Sequence, residues 1–368
     1  MNKLAIVGAS YLQLPLVLKA KEMGIQTHCF AWEDGAVCKT EADFFYPVSV
    51  HEKEQILKIC SDQKINGITT IATDMAVPTV SHVAQHLGLF GNSVESAQNS
   101  TDKAKMRESF AIGNVNIPRF TSTDVFIENL NIRFPVIVKP VDRSGSRGVS
   151  KVDSAGELRD AVSIAITESF AKRAIIEEFI EGHEVSVETI SWQGKHHFLA
   201  ITDKVTTGAP HFVELAHHQP SQLPEIIVEK LKQQTFRALD AVGMQFGAAH
   251  TELKVTSTGD VYVIETGTRM GGDFIGSHLV QLSTGYDFLK GVIDVAFGNF
   301  EIPQKTVSMH AGVYFLCKET EKLLPYFENK TTFEIEKTIQ NSCLKTITNS
   351  NDRSGYFIYQ SAHRINLL

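Results

Sequence analysis

The sequence predicts a mixed fold, α/β at its start and α+β afterwards, with an open parallel sheet, a small central unit and a larger antiparallel sheet. Two observations carry that expectation. Short apolar strands alternate with helical spacings through the first ~90 residues, the usual size of one open α/β unit. From Val185 onward β-branched runs follow one another with few helices between them, as antiparallel sheets do. At 368 residues the chain is too long for one ordinary core and suits several packed units.

Taken in order, Leu4 to Val7 is an apolar strand stopped by Gly8, Ala9 and Ser10, and Leu12 to Met23 has helical spacing. Thr27 to Trp32 reads as a strand, His51 to Asp62 as a helix, Gly67 to Thr73 as a strand and Ala76 to Leu87 as a helix. Such alternation gives right-handed crossovers and a parallel sheet. The polar stretch GNSVESAQNSTDKAKMRE opens a helix that Ser100 or Thr101 could cap, with Asp102 in its first turn. FPVIVKPV is a buried-type strand carrying Lys139, and a glycine- and serine-rich turn, DRSGSRGVSKV, joins it to the next strand. Glu157 to Glu168 is helical, and AIIEEFIEGHEVSVETI gives two strands around Gly182. VSVETISW and HHFLAITDKV follow as strands, GAPHFVELAHHQPSQLP as a loop, and Glu225 to Val242 as a helix. A hairpin of GAAHTELKV and DVYVIET then turns at Thr258 and Gly259. Beyond residue 300 strands and turns continue without a chemical signature.

Composition removes several classes of function. Hydrophobic residues make up 43% and charged residues 21%, which is globular rather than disordered. A net charge of -7 speaks against a general nucleic-acid binder. The five cysteines are odd in number, scattered and without C-x-x-C spacing, so neither a disulfide framework nor a zinc site is expected. No signal segment or apolar run of ~20 residues is read, which gives the expectation of a cytoplasmic protein with no membrane partner.

Three constellations carry chemistry. With the hairpin turn centred between Thr258 and Gly259, Glu252 faces Glu265 and His250 faces Gly267. Opposed carboxylates lie about 5 Å apart and repel, so they need a cation, and oxygen ligands suit a hard ion such as Mg²⁺. A slipped register with both glutamates in solvent is the alternative. Lys139 is followed within ten residues by Ser144, Gly145, Ser146, Arg147 and Gly148. Such a loop can bring backbone N–H groups to an anion beside a lysine point charge, although it is no Walker A loop. A plain hairpin with a snorkelling lysine fits equally well. In IIEEFIEGHE, the acidic residues and Gly182 could offer backbone edges to a base and Glu184 to ribose hydroxyls; a solvated strand edge explains them as well.

Lys103 in STDKAKMRE, VKP with SGSRGV, EEFIEGHE, and the paired TEL and ETGTR together resemble the ATP-grasp ligase superfamily, in its order and at its intervals, over roughly residues 1 to 300. The likeness is nearest to carboxylate–amine ligases akin to L-amino acid ligases, with carbamoyl phosphate synthetase and purine-pathway members also similar. It implies an ATP-grasp fold: a Rossmann-like domain over 1–98, a central subdomain with a lid loop over 99–185, a metal-bearing subdomain over 186–300, and an extension packed on the core over 301–368. It further implies that Lys103 and Lys139 contact ATP phosphates and that Ser144, Gly145, Ser146 and Gly148 belong to a mobile loop above them. Glu177 would approach the adenine amino group, Glu178 and Ile180 would offer backbone along its edge, and Glu184 would take the ribose. Lys204 would reach the terminal phosphate, Glu252 and Glu265 would hold Mg²⁺, with Mn²⁺ as a substitute, and Arg269 would steady charge on the transferred phosphoryl group.

One departure stands out. Many members read E-x-N-x-R, whereas this chain has Gly267 at the asparagine position; His250, which faces it, is a candidate to help as a ligand. Gly8 with Glu33 and Asp34 has some look of a dinucleotide fingerprint, but G-x-G-x-x-G is absent. Substrate recognition is expected from His211, Glu214, His217 and His218 and from Gly271 and Gly272; the histidine spacing also admits a metal-site reading. The resemblance implies a ligase that activates a carboxylate as an acyl phosphate and joins it to an amine. Bicarbonate activation is the alternative, and a nicotinamide oxidoreductase or a non-catalytic nucleotide binder are more distant ones. Expected partners are small carboxylates and amines, with a homodimer as the usual assembly and no nucleic acid.

Overall fold

Three sheets organise the computed structural model, which describes residues 1–128, 130–143, 145, 147–341 and 343–368. The first sheet has the order β3-β2-β1-β4, all parallel, from β1 (Lys3–Val7), β2 (Gln26–Ala31), β3 (Phe44–Pro47) and β4 (Gly67–Thr69). Its helices are α1 (Leu14–Glu22), α2 (Lys53–Gln63) and α3 (Val77–Leu87). β3 was not expected from the sequence: FFYP is only four residues long, too short to show a period, and no residue in it is fully buried. β4 stops at Thr69 rather than Thr73, and Ile71 instead forms an isolated parallel bridge with Met270, with the Ala72 N–H donating to the Met270 carbonyl at 3.0 Å.

The chain then passes through α4 (Val94–Thr101) and α5 (Lys103–Ile112). Neither expected cap, Ser100 or Thr101, begins a helix. Ser93 caps α4, and the Asp102 side chain accepts from the Ala104 and Lys105 N–H groups to cap α5. The second sheet, in the order β5-β8-β6-β7, is antiparallel and is built from β5 (Phe120–Thr123), β6 (Val136–Pro140), β7 (Ser150–Val152) and β8 (Ala174–Glu178), with α6 (Ala155–Glu168) against it.

The third sheet has eight antiparallel strands in the order β13-β12-β9-β10-β11-β14-β16-β15. They are β9 (His183–Trp192), β10 (Lys195–Thr206), β11 (Glu214–Gln219), β12 (Gly247–Val255), β13 (Val261–Gly267), β14 (His310–Leu316), β15 (Glu334–Ile339) and β16 (Gly355–Ser361). The two strands read around Gly182 thus belong to different sheets. A Cβ on Gly182 would lie only 2.7 Å from the Val255 carbonyl carbon, so only glycine lets the chain pass so close to the end of β12. The expected loop 208–224 contains β11, which pairs on both sides; its sequence ELAHHQ puts polar residues on both faces and carries no ordinary strand signal. The segment beyond residue 300 continues the same sheet through β14 rather than forming a separate layer.

One face of this sheet packs on α7 (Glu225–Ala241) and α5 through Val185, Val187, Ile201, Leu231 and Leu253. Part of the other face, at Ile190, Ala200 and Ala248, shares a core with β1, α1 and the helix Phe288–Ala296, so the first and third sheets are joined by buried apolar surface. Four of the cysteines are buried and unpaired, and Cys343 is exposed. Among the described residues no helix is long and apolar enough to cross a membrane.

Candidate active site

Strand alternation decides which side chains share the face between the sheets. The hairpin register is the expected one: Glu252 pairs with Glu265 and His250 with Gly267. Next to it, Glu252 pairs with Ser186 and His250 with Glu188 of β9, and further along Lys204 of β10 pairs with His217 of β11. Register shifts follow directly after Glu252 and after Val205. Bulges of this kind re-aim side chains beside binding sites.

The opposed carboxylates are neutralised by lysines. Lys103, the first residue of α5, donates from Nζ to Glu265 Oε1 at 2.8 Å and to the Arg143 carbonyl at 2.9 Å. Lys204 lies 2.7 Å from Glu252, 3.0 Å from Glu184 and 3.6 Å from Glu214. Burial works against the charge on Lys204, but these glutamates overcome it and hold its pKa well above the usual lysine value. Glu252 is opposed by burial and more than compensated by Lys204 and His250, so it stays ionised well below its ordinary range.

His250 sits between two carboxylates. Its Nδ1 is 2.6 Å from Glu188 and its Nε2 3.4 Å from Glu252. Burial alone would lower its pKa, yet the two carboxylates raise it to about 9. The imidazole thus lies between two carboxylates, which favour its protonated form.

The second sheet adds a buried trio. Glu177 of β8 has one oxygen 2.7 Å from Lys139 of β6 and the other 2.7 Å from Arg107 of α5. Burial dominates at Lys139 and lowers its pKa in spite of Glu177. Both carboxylate oxygens of Glu177 thus lie against cations in this arrangement. Glu178 donates its backbone N–H to the Arg119 carbonyl at 2.8 Å, Ile180 lies half-buried in the link to β9, and Glu184 spans Lys204 and Lys254. In the turn after β6, Gly145 and Gly148 take positive φ of 68° and 70°; Ser144 and Ser146 lie outside the described residues.

Arg269, just past β13, donates from Nε and Nη2 to the two oxygens of Asp74 at 2.9 Å each, a forked pair between the third sheet and the first. On the far side of Lys204, Arg353 donates to Asp273 at 2.7 Å and to Glu214 at 3.1 Å, with its guanidinium 3.7 Å from the centre of the Phe315 ring. His217 lies beside this cluster, 3.7 Å from Asp273, and burial lowers its pKa. A cleft lined by Tyr11, Ala72, Gly271, Gly272 and Phe274 opens next to it. A Cβ on Gly271 would lie 2.8 Å from His250 Nδ1, so the chain approaches the site closely there.

His211 sits exposed on a turn away from these groups, and His218 points to the opposite face, where its Nδ1 is 3.0 Å from the Tyr359 hydroxyl. Adjacent residues on a strand cannot share a face, which removes the metal-site reading of the histidine run. Sequence reasoning missed Asp74, Arg107, Glu188, Asp273 and Arg353. Arg107 follows Lys103 by one helical turn and was open to detection as a second cation on that face; the other four gain meaning only from partners distant in sequence.

Residues 132–277 match the family model described as the ATP-grasp domain. The chain is 28% identical over 272 residues to the alanine–anticapsin ligase of Bacillus subtilis (strain 168), a match spanning 64% of this chain and 57% of that protein. Its fold is similar to the L-amino acid ligase from Bacillus licheniformis, with a TM-score of 0.82 and 23% identity, covering 99% of this chain and 94% of the other. It is also similar to an ADP complex of N5-carboxyaminoimidazole synthetase from Staphylococcus aureus, with a TM-score of 0.78 and 15% identity over 98% and 94% of the two chains.

Proposed function

Because this chain carries an ATP-grasp domain within an ATP-grasp fold, we propose that it is an ATP-dependent ligase joining a small carboxylate to an amine. The observation that carries the reading is the run of paired charges, Lys103–Glu265 and Lys204–Glu252, on one face between the sheets. Phosphate oxygens entering there attract both lysines and leave two half-buried carboxylates without counter-ions. Glu252 and Glu265 are hard oxygen donors from adjacent strands, which suits a divalent cation completed by phosphate oxygens rather than by a full protein cage. Mg²⁺ bound there would screen phosphoryl charge.

The chemistry then follows in two steps. A carboxylate oxygen of the substrate attacks the γ-phosphorus, the bond to the β–γ bridging oxygen breaks, and ADP leaves with that electron pair. The amine nitrogen next attacks the acyl carbon, the acyl C–O bond breaks to release inorganic phosphate, and the amine loses its proton. Lys103, Lys139 and Lys204 hold the phosphates, the turn with Gly145 and Gly148 covers them, and Arg269 faces the transferred group. Glu184 and the Glu178–Ile180 link form the nucleoside side. The acid and amine enter from the side of Glu214, His217, Gly271 and Gly272, where Arg353 offers a cation and Asp273 an anion.

The test is ADP release over a matrix of amino acids and small carboxylates, with product mass recorded. A condensed product with stoichiometric ADP is expected, and Glu265→Gln should cut turnover by roughly 100-fold or more while the fold remains. Full activity of that variant excludes the proposed role of Glu265. ADP release that depends on bicarbonate and on no amino acid would favour carboxylation instead.

A further inference from the structure

Position 267 has no side chain, and the reason lies in the first sheet. A Cβ built on Gly267 falls 2.6 Å from Asp74 Oδ1, 3.1 Å from Arg269 Cζ and 3.2 Å from Arg269 Nε. Carbon does not approach that closely, so even alanine would displace the carboxylate. The backbone of Gly267 needs no positive φ, which leaves space as the cause for glycine.

Asp74 is held to this spot. The Ile71–Met270 bridge and the hydrogen bond from the Ala72 N–H to the Met270 carbonyl fix both backbones within a few residues of the ion pair. Gln13 Nε2 donates to the Ile71 carbonyl at 2.7 Å and steadies the same stretch from α1, while the Val77 N–H donates to the Asp74 carbonyl at 3.1 Å. Both side chains are largely shielded, 18% exposed for Asp74 and 14% for Arg269. A two-point fork fixes the plane of a guanidinium as well as its place.

We propose that Asp74 is a positioning residue for Arg269: the first sheet delivers a carboxylate into the space vacated at Gly267, and that carboxylate orients the guanidinium toward the Glu252–Glu265 ladder. Rigid orientation of a charge at a reacting phosphoryl group matters more than its mere presence. The role rests on the ligase reading for its effect on rate, but the coupling between Asp74, Gly267 and Arg269 stands on geometry alone.

The experiment uses the full chain and the acid–amine pair that it turns over fastest. Asp74→Asn should lower kcat by roughly 10- to 100-fold, with KM for ATP within about twofold and a cooperative unfolding transition retained. Gly267→Ala should reproduce that loss, and Asp74→Ala with Gly267→Ala should be no slower than Asp74→Ala alone. An Asp74→Asn kcat within about twofold of the parent, or losses that multiply in the double variant, overturn the proposal. If no pair supports ADP release, the ligase reading fails and the coupling is read from unfolding instead. Non-additive shifts for Asp74→Asn and Arg269→Gln then support the fork, and additive shifts overturn it.

Discussion

Lys204 shows how much of this site is settled between single side chains. Only 3% of its side chain is exposed, and it faces three carboxylates from three different strands. Lys204→Met keeps the length and apolar stem but leaves Glu184, Glu214 and Glu252 facing one another. We expect a loss of about 3 kcal/mol in urea unfolding, the low end for a broken buried pair because the glutamates retain some water contact. An unchanged midpoint would mean that the glutamates relax into solvent. The same residue scale explains what was legible beforehand. Glu252 and Glu265 could be paired from the turn alone, because hairpin register is local. Asp74 could not be paired with Arg269, because 195 residues separate them and neither motif contains the other.

At the scale of elements, β11 carries the lesson and a prediction. Its neighbours in sequence face opposite sides: His217 looks toward the cleft, while His218 is buried against Tyr314 and Tyr359 of β14 and β16. Burial lowers the His218 pKa to about 3, with nearby Arg364 and His217 adding to the effect and Asp203 opposing it. The unfolded chain binds this proton near pH 6.5 and the native chain does not, so stability contributed here falls as pH drops from about 6.5 toward 3. His218→Gln, which can still meet the Tyr359 hydroxyl, should flatten that part of the stability curve, measured by urea midpoints across pH; an equally steep curve counts against the assignment. The parallel first sheet and the 247–267 hairpin were readable because their periods are regular. β11 was not, since polar residues fill both faces of a strand that is nonetheless buried, and β3 was not, since four residues make no period.

For the whole molecule, the chain beyond residue 300 is structural rather than an attachment. β14 covers the edge of β11, and Arg353 and Arg364 from this segment neutralise Asp273, Glu214 and Asp203. A chain ending at residue 300 should therefore lose soluble yield and its far-ultraviolet helix and strand signal, because it combines an open hydrophobic edge with unpaired buried acids. A soluble, folded truncation would show that the remaining four strand pairings along β9 to β13 suffice without it, against this expectation. The order of strands has a further consequence. From β13 to β11 each successive strand sets a charged or polar group on one face, Glu265, Glu252, Glu184, Lys204 and His217 in turn, and strands in a sheet stand about 4.8 Å apart. The four intervals make a ruler of roughly 19 Å along which these groups are spaced. For the proposed ligase, length counted in strands then becomes a selection rule, and changing the reach of a substrate means moving one notch along the sheet.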